Sequence, residues 1–484
     1  MALSVFLPIS FIAGCEVFKE EISEPPNVWP TVQLTGTEND IIFKQGQILE
    51  YRVTIDPIDI EDIEEHGILE EWHNASLRIT GGEIGELDLG EVGFRHKGAY
   101  GSLVMCFGPP KDLDGDPEVT TREEMLTQRR LYDGRCNKLS YKFKFAKDRR
   151  LFGLKKLNLH TSNTDPTRLR EMLAYSLYND FGVDAPRTAP VRLYINNKFM
   201  GLMIAVESID DRYFKDHLPE NDDGNLYKEI WPSTQWVDHD FDPTEFFLEG
   251  VEENQQDPAD ISDFLAFTEA VVATNKQSFL QDMATWVDID NILHYMAVDR
   301  AAKNWDGVTA WYTSGPEPEA ISVTPHNFYW YHDLSENGIF HFVPWDLDNT
   351  FHEYDPYMDP HGYGAQTAIP DWNVKPRNCD VKTRVWEDSW VVPPGCDKFL
   401  NLLAATSWPQ FIEIGKKLLN GPLQRKNMLT KIEAWSWLIE PTIKEDPYIE
   451  YSDWKNAYYD FKNRQLANIR NDFVRYLKKE YTEQ

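Results

Sequence analysis

Four carboxylates and one amide lie in or around residues 326–343, and groups of these types could support phosphoryl transfer. Asp299 and Asp306 precede the stretch, Asn327 opens it, and Asp346 and Asp348 follow it. Oxygen ligands of this kind are those that Mg²⁺ prefers when it bridges a protein to phosphates. Transfer also needs a residue that orients or deprotonates the acceptor hydroxyl. On residue types alone, an acidic sheet edge or a calcium site without catalysis is the commoner explanation.

The element that must position these residues is a predicted β-hairpin. Residues 326–332 and 339–343 are alternating apolar runs, and Asn337-Gly338 lies between them. This dipeptide between two alternating runs is a strong hairpin signal, because both residues tolerate the positive φ of a tight turn. The hairpin would therefore hold the acidic groups at the ends of its strands.

The composition favours a folded, strongly acidic protein. The chain has 484 residues, of which 42% are hydrophobic and 13% aromatic, and its formal net charge is −32. This length allows one large domain or two to three ordinary ones. We do not expect a nucleic-acid partner, because binding to nucleic acid requires a basic surface. Any bound nucleotide would need local lysine, arginine or metal to offset the negative background.

Three motifs in and around the hairpin resemble the CotH family of kinase-like proteins, which is named for a spore-coat component. They are NWD at 304–306, HNFYWY at 326–331 and FHFVPWDLDNTF at 340–351. The block PWDLD after the hairpin is the most specific of them, and the resemblance extends from about residue 49 to residue 351.

The resemblance implies an α+β, atypical protein-kinase-like fold with two lobes and the site in the cleft between them. Residues 31–209 would form a mostly antiparallel, β-rich N-lobe, and residues 210–484 a mostly helical C-lobe. Alternation of apolar residues predicts strands, and 3.6-residue periodicity predicts helices. The predicted strands are 32–34, 41–43, 49–55, 76–79, 92–96, 138–145, 191–195 and 200–207, and the predicted helices are 56–72, 165–182, 261–273, 279–286 and 289–303, with helical pattern throughout 398–480.

By the same resemblance, Asp306 is the catalytic base, and Asn327, Asp346 and Asp348 are metal ligands, with Asp346 the principal one and itself essential for catalysis. Asp299 competes with Asp306, because Asp299 and Asn304 have the D-x-x-x-x-N spacing of ordinary kinase catalytic loops. Asp306 is favoured, since Asp299 falls within an apolar helical pattern.

A glycine turn and a later carboxylate are the first candidates for nucleotide contacts. Arg95, Lys97 and Gly98 match the family's Arg-x-(Arg/Lys)-Gly turn, whose backbone N–H groups could cover phosphates. Glu207 would fall where the nucleotide base meets the chain between the lobes. An ordinary hairpin turn is the alternative explanation of the glycine turn.

A strand of alternating lysines supplies the phosphate-binding candidates. Lys138, Lys142 and Lys144 lie in KLSYKFKF, and in kinase-like folds a strand lysine pairs with the nucleotide phosphates. The sequence does not decide among the three. Asp165-Pro166 is predicted to open the following helix, because Asp is a good N-cap and Pro a good first residue. Glu171 on that helix is a candidate partner of the lysine.

The N-terminus predicts an exported protein of the bacterial cell envelope. Residues 1–15 resemble a lipoprotein signal peptide, with an apolar run that ends at Cys15 and is too short to span a bilayer. Cleavage there would leave a lipidated Cys15 that anchors the chain to the membrane, unless the protein is secreted. Residues 16–30 are acidic and rich in proline, as is typical of a tether.

Four other cysteines and one acidic loop complete the set of candidates. An even number of cysteines in an exported chain allows disulfides, and nearest-neighbour pairing would join Cys106 with Cys136 and Cys379 with Cys396. The segment from Asp112 to Glu123 has carboxylates at positions of an EF-hand Ca²⁺ loop. It has proline where that loop requires glycine, so a solvated acidic loop is the alternative.

Three functions follow as hypotheses. The first is an ATP-dependent kinase that uses Mg²⁺ or Mn²⁺ and phosphorylates serine or threonine hydroxyls of a protein substrate outside the cytoplasm. The second is a kinase-like fold with redirected chemistry, either adenylylation or glutamylation. The third is a non-catalytic surface or adhesion protein that retains the fold.

Overall fold

The computed structural model describes residues 26, 29–30, 34–66, 70–98, 138–220, 223–233, 243–313, 325–335, 337–351, 371–379, 383–385 and 389–483. The predicted signal peptide, most of the predicted tether, the Ca²⁺ loop and the pair Cys106 with Cys136 lie outside these residues. The described chain is an α+β fold, as the sequence predicts.

The N-terminal half of the described chain forms a closed barrel of seven strands. Around the barrel the order is β1-β2-β3-β4-β5-β7-β6, and every neighbouring pair is antiparallel except β1 and β6. The strands are β1 (Leu49–Ile55), β2 (His73–Gly81), β3 (Gly85–His96), β4 (Tyr141–Lys144), β5 (Lys156–His160), β6 (Thr188–Ile195) and β7 (Lys198–Glu207).

The barrel closes where the β6–β7 hairpin meets β1. Asn196 and Asn197 form the hairpin turn with φ values of 50° and 65°, a conformation that asparagine tolerates better than most residues. The Asn196 side chain also bonds both the N–H and the carbonyl of Ile55. The parallel β1–β6 pairing then places Leu49 opposite Val191, so the sheet has no free edge there.

Alternating residues of the barrel strands fill its interior. Tyr51, Phe94, Tyr141 and Phe143 are almost fully buried there, and their rings lie within 6.2 Å of one another in successive pairs. Aromatic side chains bury a large apolar area each, so this stack supplies much of the barrel's stability. The outward-facing residues of β3, β4 and β5 are therefore free to carry polar groups.

Strand β7 contributes to two hydrophobic cores. Met203 and Ala205 point into the barrel, whereas Leu202, Ile204 and Val206 pack into a second, larger core. The second core also contains residues of the helix that follows β5 and of the helices that follow β7. One strand thus forms a wall shared by the barrel and the helical part.

The helical part contains a four-stranded sheet, a three-stranded sheet and most of the helices. The first sheet has the order β12-β11-β8-β9, and β11 and β12 form the predicted hairpin. Its connection runs from 334 to 339 and is longer than the two-residue turn that Asn337-Gly338 suggests. The strands are β8 (Gly224–Lys228), β9 (Val251–Glu253), β10 (Trp311–Thr313), β11 (Phe328–Asp333), β12 (Phe340–Pro344), β13 (Val374–Lys375), β14 (Thr383–Val385), β15 (Ser389–Val392) and β16 (Thr482–Glu483).

The described helices include those that the periodicity predicts and two, Asp211–His217 and Pro243–Glu249, that it does not, and the helix predicted over 56–72 ends at His66. They are α1 (Pro57–His66), α2 (Arg170–Asp180), α3 (Asp211–His217), α4 (Pro243–Glu249), α5 (Ser262–Ala273), α6 (Phe279–Met283), α7 (Ile289–Ala301), α8 (Lys398–Asn420), α9 (Arg425–Glu445), α10 (Tyr451–Asp460) and α11 (Leu466–Tyr476). None of the helices in these described ranges is long and apolar enough to cross a membrane.

Two local predictions were wrong. The segment 41–43 is not a strand, because the chain leaves a short 3₁₀ helix (Glu38–Ile41) and buries Ile42 and Phe43 against the barrel core. The helix predicted to begin at Asp165 begins at Arg170 instead. Asp165 still caps it, since its carboxylate accepts the backbone N–H groups of Leu169 and Arg170 at 2.7 and 2.8 Å.

One predicted disulfide is present in the described residues. Cys379 is bonded to Cys396 and joins the segment after β13 to the start of α8. This pairing is one of the two that nearest-neighbour pairing predicts.

Candidate functional site

Three side chains from three elements meet beside the barrel's outer face. His160 is the last residue of β5, Glu171 lies in the first turn of α2, and Asp346 follows β12. Along β5, Leu157 and Leu159 point into the barrel, so His160 points outward. His160 Nδ1 is 2.7 Å from Glu171 Oε1 and 3.9 Å from Asp346 Oδ1.

Asp346 is held in an unusual conformation by its neighbours. Its φ and ψ are 50° and 63°, the left-handed region that costs a non-glycine residue about 1–3 kcal/mol. Its backbone N–H donates to the hydroxyl of Tyr175 at 3.0 Å. Tyr175 lies one turn after Glu171 on α2, so one face of this helix holds both the carboxylate and the support of Asp346.

A lysine from the barrel lies beside the group formed by His160, Glu171 and Asp346. Lys97 Nζ is 3.3 Å from Asp346 Oδ2 and 4.9 Å from the centre of the Trp345 ring. Burial would raise the pKa of Asp346, but the charges of Lys97 and His160 outweigh burial and lower it. Asp346 is therefore ionised at neutral pH. Its side chain is 33% exposed, whereas those of His160 and Glu171 are 4% and 1% exposed.

Two further lysines lie nearby: Lys228 interacts electrostatically with Asp346, and Lys142 interacts with Lys97. Burial, together with repulsion from Lys156, Arg95 and Lys97, lowers the pKa of Lys142 to about 7. For Lys228 on β8, burial would lower the pKa, but the carboxylates of neighbouring acids, including Asp346, raise it. Lys97 and Lys228 therefore place positive charge beside Asp346 within a chain whose net charge is −32.

A second carboxylate lies two residues after Asp346. Asp348 accepts a hydrogen bond from Thr164 Oγ1 at 3.1 Å. Burial raises the pKa of Asp348 well above its usual range, and the negative charges of Asp346 and Glu171 raise it further. Two carboxylates that lie this close repel each other when both are ionised, and a bound cation would offset the repulsion.

The loop with the NWD motif docks onto the same region. The Asn327 side-chain nitrogen donates to the carbonyl of Asp306 at 2.8 Å, and Asn349 Nδ2 lies 3.4 Å from Asp306 Oδ2. The backbone N–H of Trp305 donates to Asn349, and that of Trp345 donates to Asn327. The fold thus brings Asp306, Asn327 and the residues after β12 together, although residues 307–326 separate the first two along the chain.

Asp299 lies in the interior behind this loop. It is fully buried on α7, and burial raises its pKa to about 7. It accepts hydrogen bonds from Asn304, Thr309 and Tyr178 at 3.0 to 3.4 Å. A side chain at position 307 would collide with this network, since a Cβ there would lie 2.5 Å from Asp299 Oδ1. Asp299 shapes the NWD turn from within and does not reach the site's surface.

The other predicted nucleotide contacts are dispersed. Lys138 is buried, and its ammonium group is 2.9 Å from Asp446 and 2.8 Å from the carbonyl of Leu202. Lys144 is exposed and stands over the ring of Trp72 at 5.7 Å. Arg95 lies over the same ring and pairs with Glu70. The structure therefore brings Lys97 to Asp346 and Lys142 near Lys97, but it brings neither Lys138 nor Lys144 to this group.

Glu207 belongs to a separate buried ion network. It pairs with the guanidinium of Arg187 and with His217 Nε2 at 3.1 Å, and its side chain is 1% exposed. Burial would raise the pKa of Glu207, but Arg187 and His217 outweigh burial and lower it. These contacts occupy the carboxylate that the resemblance assigned to the nucleotide base.

This network predicts a pH-dependent stability. Burial would lower the pKa of His217, but Glu207 and Asp184 raise it from 6.5 to about 9. The stabilisation of the fold by protonated His217 is therefore complete below pH 6.5 and is lost as the pH rises through about 9. We expect His217→Gln to lower the melting temperature at pH 6 and to have a shrinking effect as the pH approaches 10. A difference between the two proteins that stays constant from pH 6 to pH 10, measured by thermal unfolding, would contradict this.

His160 and Lys228 have no signal in the sequence that marks them as site residues. A single histidine after an apolar strand is usually a packed core residue, and a lysine at a strand end is usually solvated. Their place beside Asp346 depends on contacts between segments that are distant in sequence. Glu171 could be named from its position on α2, but its partner is His160 and none of the three candidate lysines.

The chain is similar to a family of kinases, to a spore-coat protein and, weakly, to a solved kinase structure. The model of the family described as CotH kinase protein matches residues 131–471, which is more than half of the chain. Inner spore coat protein H of Bacillus subtilis (strain 168) is 24% identical over 276 residues, covering 51% of this chain and 68% of that protein. The crystal structure of the Helicobacter pylori proinflammatory kinase CtkA shares 9% identity and a TM-score of 0.26, covering 69% of this chain and 94% of its own.

The family match and the carboxylate-rich site together define a kinase-like protein with an α+β fold. More particularly, the chain belongs to the CotH kinase family. The likeness to CtkA has too low a TM-score to bear on the fold.

Proposed function

We propose that this protein is an ATP-dependent protein kinase that transfers the γ-phosphate to serine or threonine hydroxyls outside the cytoplasm. The observation that carries the proposal is the meeting of Asp346 and Asp348 with the cations Lys97 and Lys228 beside the barrel's outer face. Carboxylates bind the cation that accompanies ATP, and lysines offset the phosphate charge. Export and anchoring through a lipidated Cys15 remain part of the proposal.

The residues fit a divalent cation. Asp346 is ionised and one-third exposed, and the pKa of the neighbouring Asp348 is raised by burial and by Asp346, so a bound cation would favour its ionised form. Asp346, Asp348 and the side-chain oxygen of Asn327 would hold Mg²⁺ or Mn²⁺. Such an ion would neutralise charge on the β- and γ-phosphates and help to align them for transfer.

We assign the roles of the protein groups as follows. The acceptor hydroxyl oxygen forms a bond to the γ-phosphorus, the bond from that phosphorus to the β–γ bridging oxygen breaks, and ADP leaves. The hydroxyl proton passes to the carboxylate of Asp306, which Asn349 holds beside the residues after β12. Lys97 and Lys142 offset the charge on the phosphates.

The first test uses the purified protein with ATP labelled separately at the γ- and α-phosphates. Transfer of the γ-label to protein supports the proposal. Transfer of the α-label instead would indicate adenylylation, and attachment of glutamate would indicate glutamylation. Absence of any transfer and of nucleotide-induced stabilisation with Mg²⁺ and with Mn²⁺ would overturn the proposal and favour a non-catalytic surface protein.

A second prediction separates Asp306 from Asp299. We expect Asp306→Asn to lower γ-label transfer by about 10²–10⁴-fold with little change in melting temperature, since the base is lost and the fold is not. We expect Asp299→Ala to destabilise the protein by about 1–3 kcal/mol, because it leaves buried donors unpaired. Initial rates and thermal unfolding of both variants measure this. Full transfer by Asp306→Asn would remove Asp306 from the mechanism.

A further inference from the structure

A strongly basic stretch of this acidic chain forms β4, the start of β5 and the loop between them. Residues 142–156 contain seven lysines and arginines and a single acid, Asp148. The cations are Lys142, Lys144, Lys147, Arg149, Arg150, Lys155 and Lys156. The whole chain, by contrast, has 48 basic and 80 acidic residues. A local reversal of charge of this kind attracts anionic partners that the rest of the surface repels.

The loop between β4 and β5 has a fixed frame. Phe145, Leu151 and Leu154 are buried in the barrel core. The backbone N–H of Phe145 donates to the carbonyl of Lys155 at 2.9 Å, and that of Leu154 donates to the carbonyl of Leu151 at 3.0 Å. The loop therefore displays its cations on an ordered backbone, and little backbone entropy is lost when a partner binds to them.

The cations at the tip of this loop are available, whereas one at its base is neutralised. Lys155 pairs with the carboxylates of Asp211 and Glu253, each at 2.8 Å. Lys147 and Arg149 are exposed, and neither has an ion-pair partner among the described residues. The charge of these two side chains is therefore directed to the solvent and to whatever binds there.

An exposed aromatic ring extends the surface along β4. The ammonium group of Lys144 lies 5.7 Å from the centre of the Trp72 ring, and Trp72 is 37% exposed. The ring lies against Gly93, where a Cβ would be only 3.1 Å from a ring carbon. Lys144, Lys147 and Arg149, with Trp72 beside them, form what we call the basic surface. It offers cations to carboxylates and an apolar ring to the aliphatic parts of a peptide.

The basic surface and the candidate site belong to the same side of the barrel sheet. Lys97, which pairs with Asp346, lies just after the end of β3. Lys144 is paired in register with Gly93, four residues before Lys97. This separation corresponds to about 13 Å along the strand. A single extended peptide can therefore reach both places.

We propose that the basic surface binds an acidic segment of the protein that the kinase phosphorylates, with Lys144, Lys147 and Arg149 contacting aspartate or glutamate carboxylates. The segment lies about four or more residues from the acceptor hydroxyl, because an extended chain rises about 3.3 Å per residue. The inference deepens the proposed function and rests on it for the identity of the partner. Binding of an acidic peptide, however, does not require phosphate transfer.

The charges around the basic surface favour a narrow chain over an anionic membrane. Glu70 and Asp211, whose side chains are 44% and 40% exposed, lie on either side of it through their pairs with Arg95 and Lys155. A planar anionic surface would meet these carboxylates as well as the cations, and the chain as a whole has a net charge of −32. A peptide responds only to charges within about 8 Å at physiological salt, and these include the cations of the basic surface.

The first test measures binding of a fluorescein-labelled hexaglutamate peptide to the full chain by fluorescence anisotropy, without nucleotide. We expect binding at low salt that weakens steeply between about 0.05 and 0.5 M salt, because salt screens exposed charges. A hexaglutamine peptide should not bind. Failure of the wild-type protein to bind hexaglutamate at low salt would overturn the inference, and this result needs no variant to fold.

Charge reversal locates the binding surface. We expect the double variant Lys147→Glu with Arg149→Glu to weaken hexaglutamate binding by about 10-fold or more. The matched control is Lys416→Glu with Arg475→Glu, which changes the net charge equally at exposed positions on α8 and α11. We expect the control to change the affinity by less than about 2-fold, because these sites are remote from the basic surface. Equal weakening by both double variants would contradict the inference, and melting curves establish that both are folded.

Phosphate transfer to two synthetic serine peptides separates the inference from the proposed function. One peptide carries glutamates beyond the serine, and the other carries glutamines there. We expect the Lys147→Glu, Arg149→Glu variant to raise KM for the acidic peptide about 10-fold. Hexaglutamate binding that depends on Lys147 and Arg149, without any transfer, would support the acidic-binding surface and overturn the kinase proposal.

Two other outcomes would overturn the inference and leave the kinase proposal intact. The first is equal transfer to both serine peptides without hexaglutamate binding. The second is binding to vesicles of anionic phospholipid, lost in the Lys147→Glu, Arg149→Glu variant, without hexaglutamate binding. The second result would make this face of the barrel a membrane contact.

Discussion

Asp346→Asn is expected to lower γ-phosphate transfer by about 10³-fold or more, equivalent to roughly 4 kcal/mol in the activation free energy. Asp346 is the most exposed carboxylate of the cluster with His160 and Glu171 and is kept ionised by Lys97. Replacing its carboxylate removes the ionised oxygen ligand of the metal. Asparagine tolerates the left-handed backbone that Asp346 adopts, so the variant should fold. The measurement is the initial rate of label transfer.

The matched control for this substitution is Asp88→Asn. It removes the same charge from an exposed position on β3, where Asp88 contacts only Arg78 and the backbone of Gly90 among the described residues. We expect Asp88→Asn to transfer phosphate at the wild-type rate. If Asp346→Asn retained more than a tenth of the activity, Asp346 would not be the principal metal ligand.

The second large effect distinguishes two lysines that the sequence leaves equivalent. We expect Lys138→Met to destabilise the protein by about 3–5 kcal/mol, because it leaves Asp446 buried without its cation. Lys142→Met should leave stability nearly unchanged, since Lys142 has no ion-pair or hydrogen-bond partner among the described residues and burial already disfavours its charge. Lys142→Met should instead weaken nucleotide binding, because Lys142 lies near Lys97, the cation that pairs with Asp346.

Urea unfolding and nucleotide titration of both variants measure these effects. The stability effect of Lys138→Met should largely disappear in the double variant with Asp446→Leu, because no buried charge then lacks a partner. Weakened nucleotide binding by a folded Lys138→Met, with normal binding by Lys142→Met, would reverse the assignment of the phosphate-binding lysine.

Much of the fold was predictable from local pattern. The alternation in 49–55, 191–195 and 200–207 correctly predicted β1, β6 and β7. The parallel pairing of β1 with β6 could not be predicted, because it joins segments about 140 residues apart. Strand β5 was missed, since its five residues lie in a polar context that shows no long alternation.

The site was predictable only in part, for the same reason. The motifs after β12 and in the NWD loop pointed to Asp306, Asn327 and Asp346, and the fold brings these segments together. His160 was not predictable, because its role depends on a helix that packs across the end of its strand. Lys138 matched a family pattern, yet its ammonium group pairs with Asp446, which lies 308 residues later in the chain.

Strand β7 is buried on both of its faces, and this limits which fragments of the protein can be produced alone. A fragment that ends near residue 209 would keep the barrel but expose Leu202, Ile204 and Val206 to water, together with the apolar face of α2. Such a fragment is expected to aggregate or to be degraded, because large exposed apolar patches promote association. A proteolytic cut between the two predicted lobes should therefore leave the pieces bound to each other, and nucleotide-binding assays need the barrel and the C-terminal helices in one preparation.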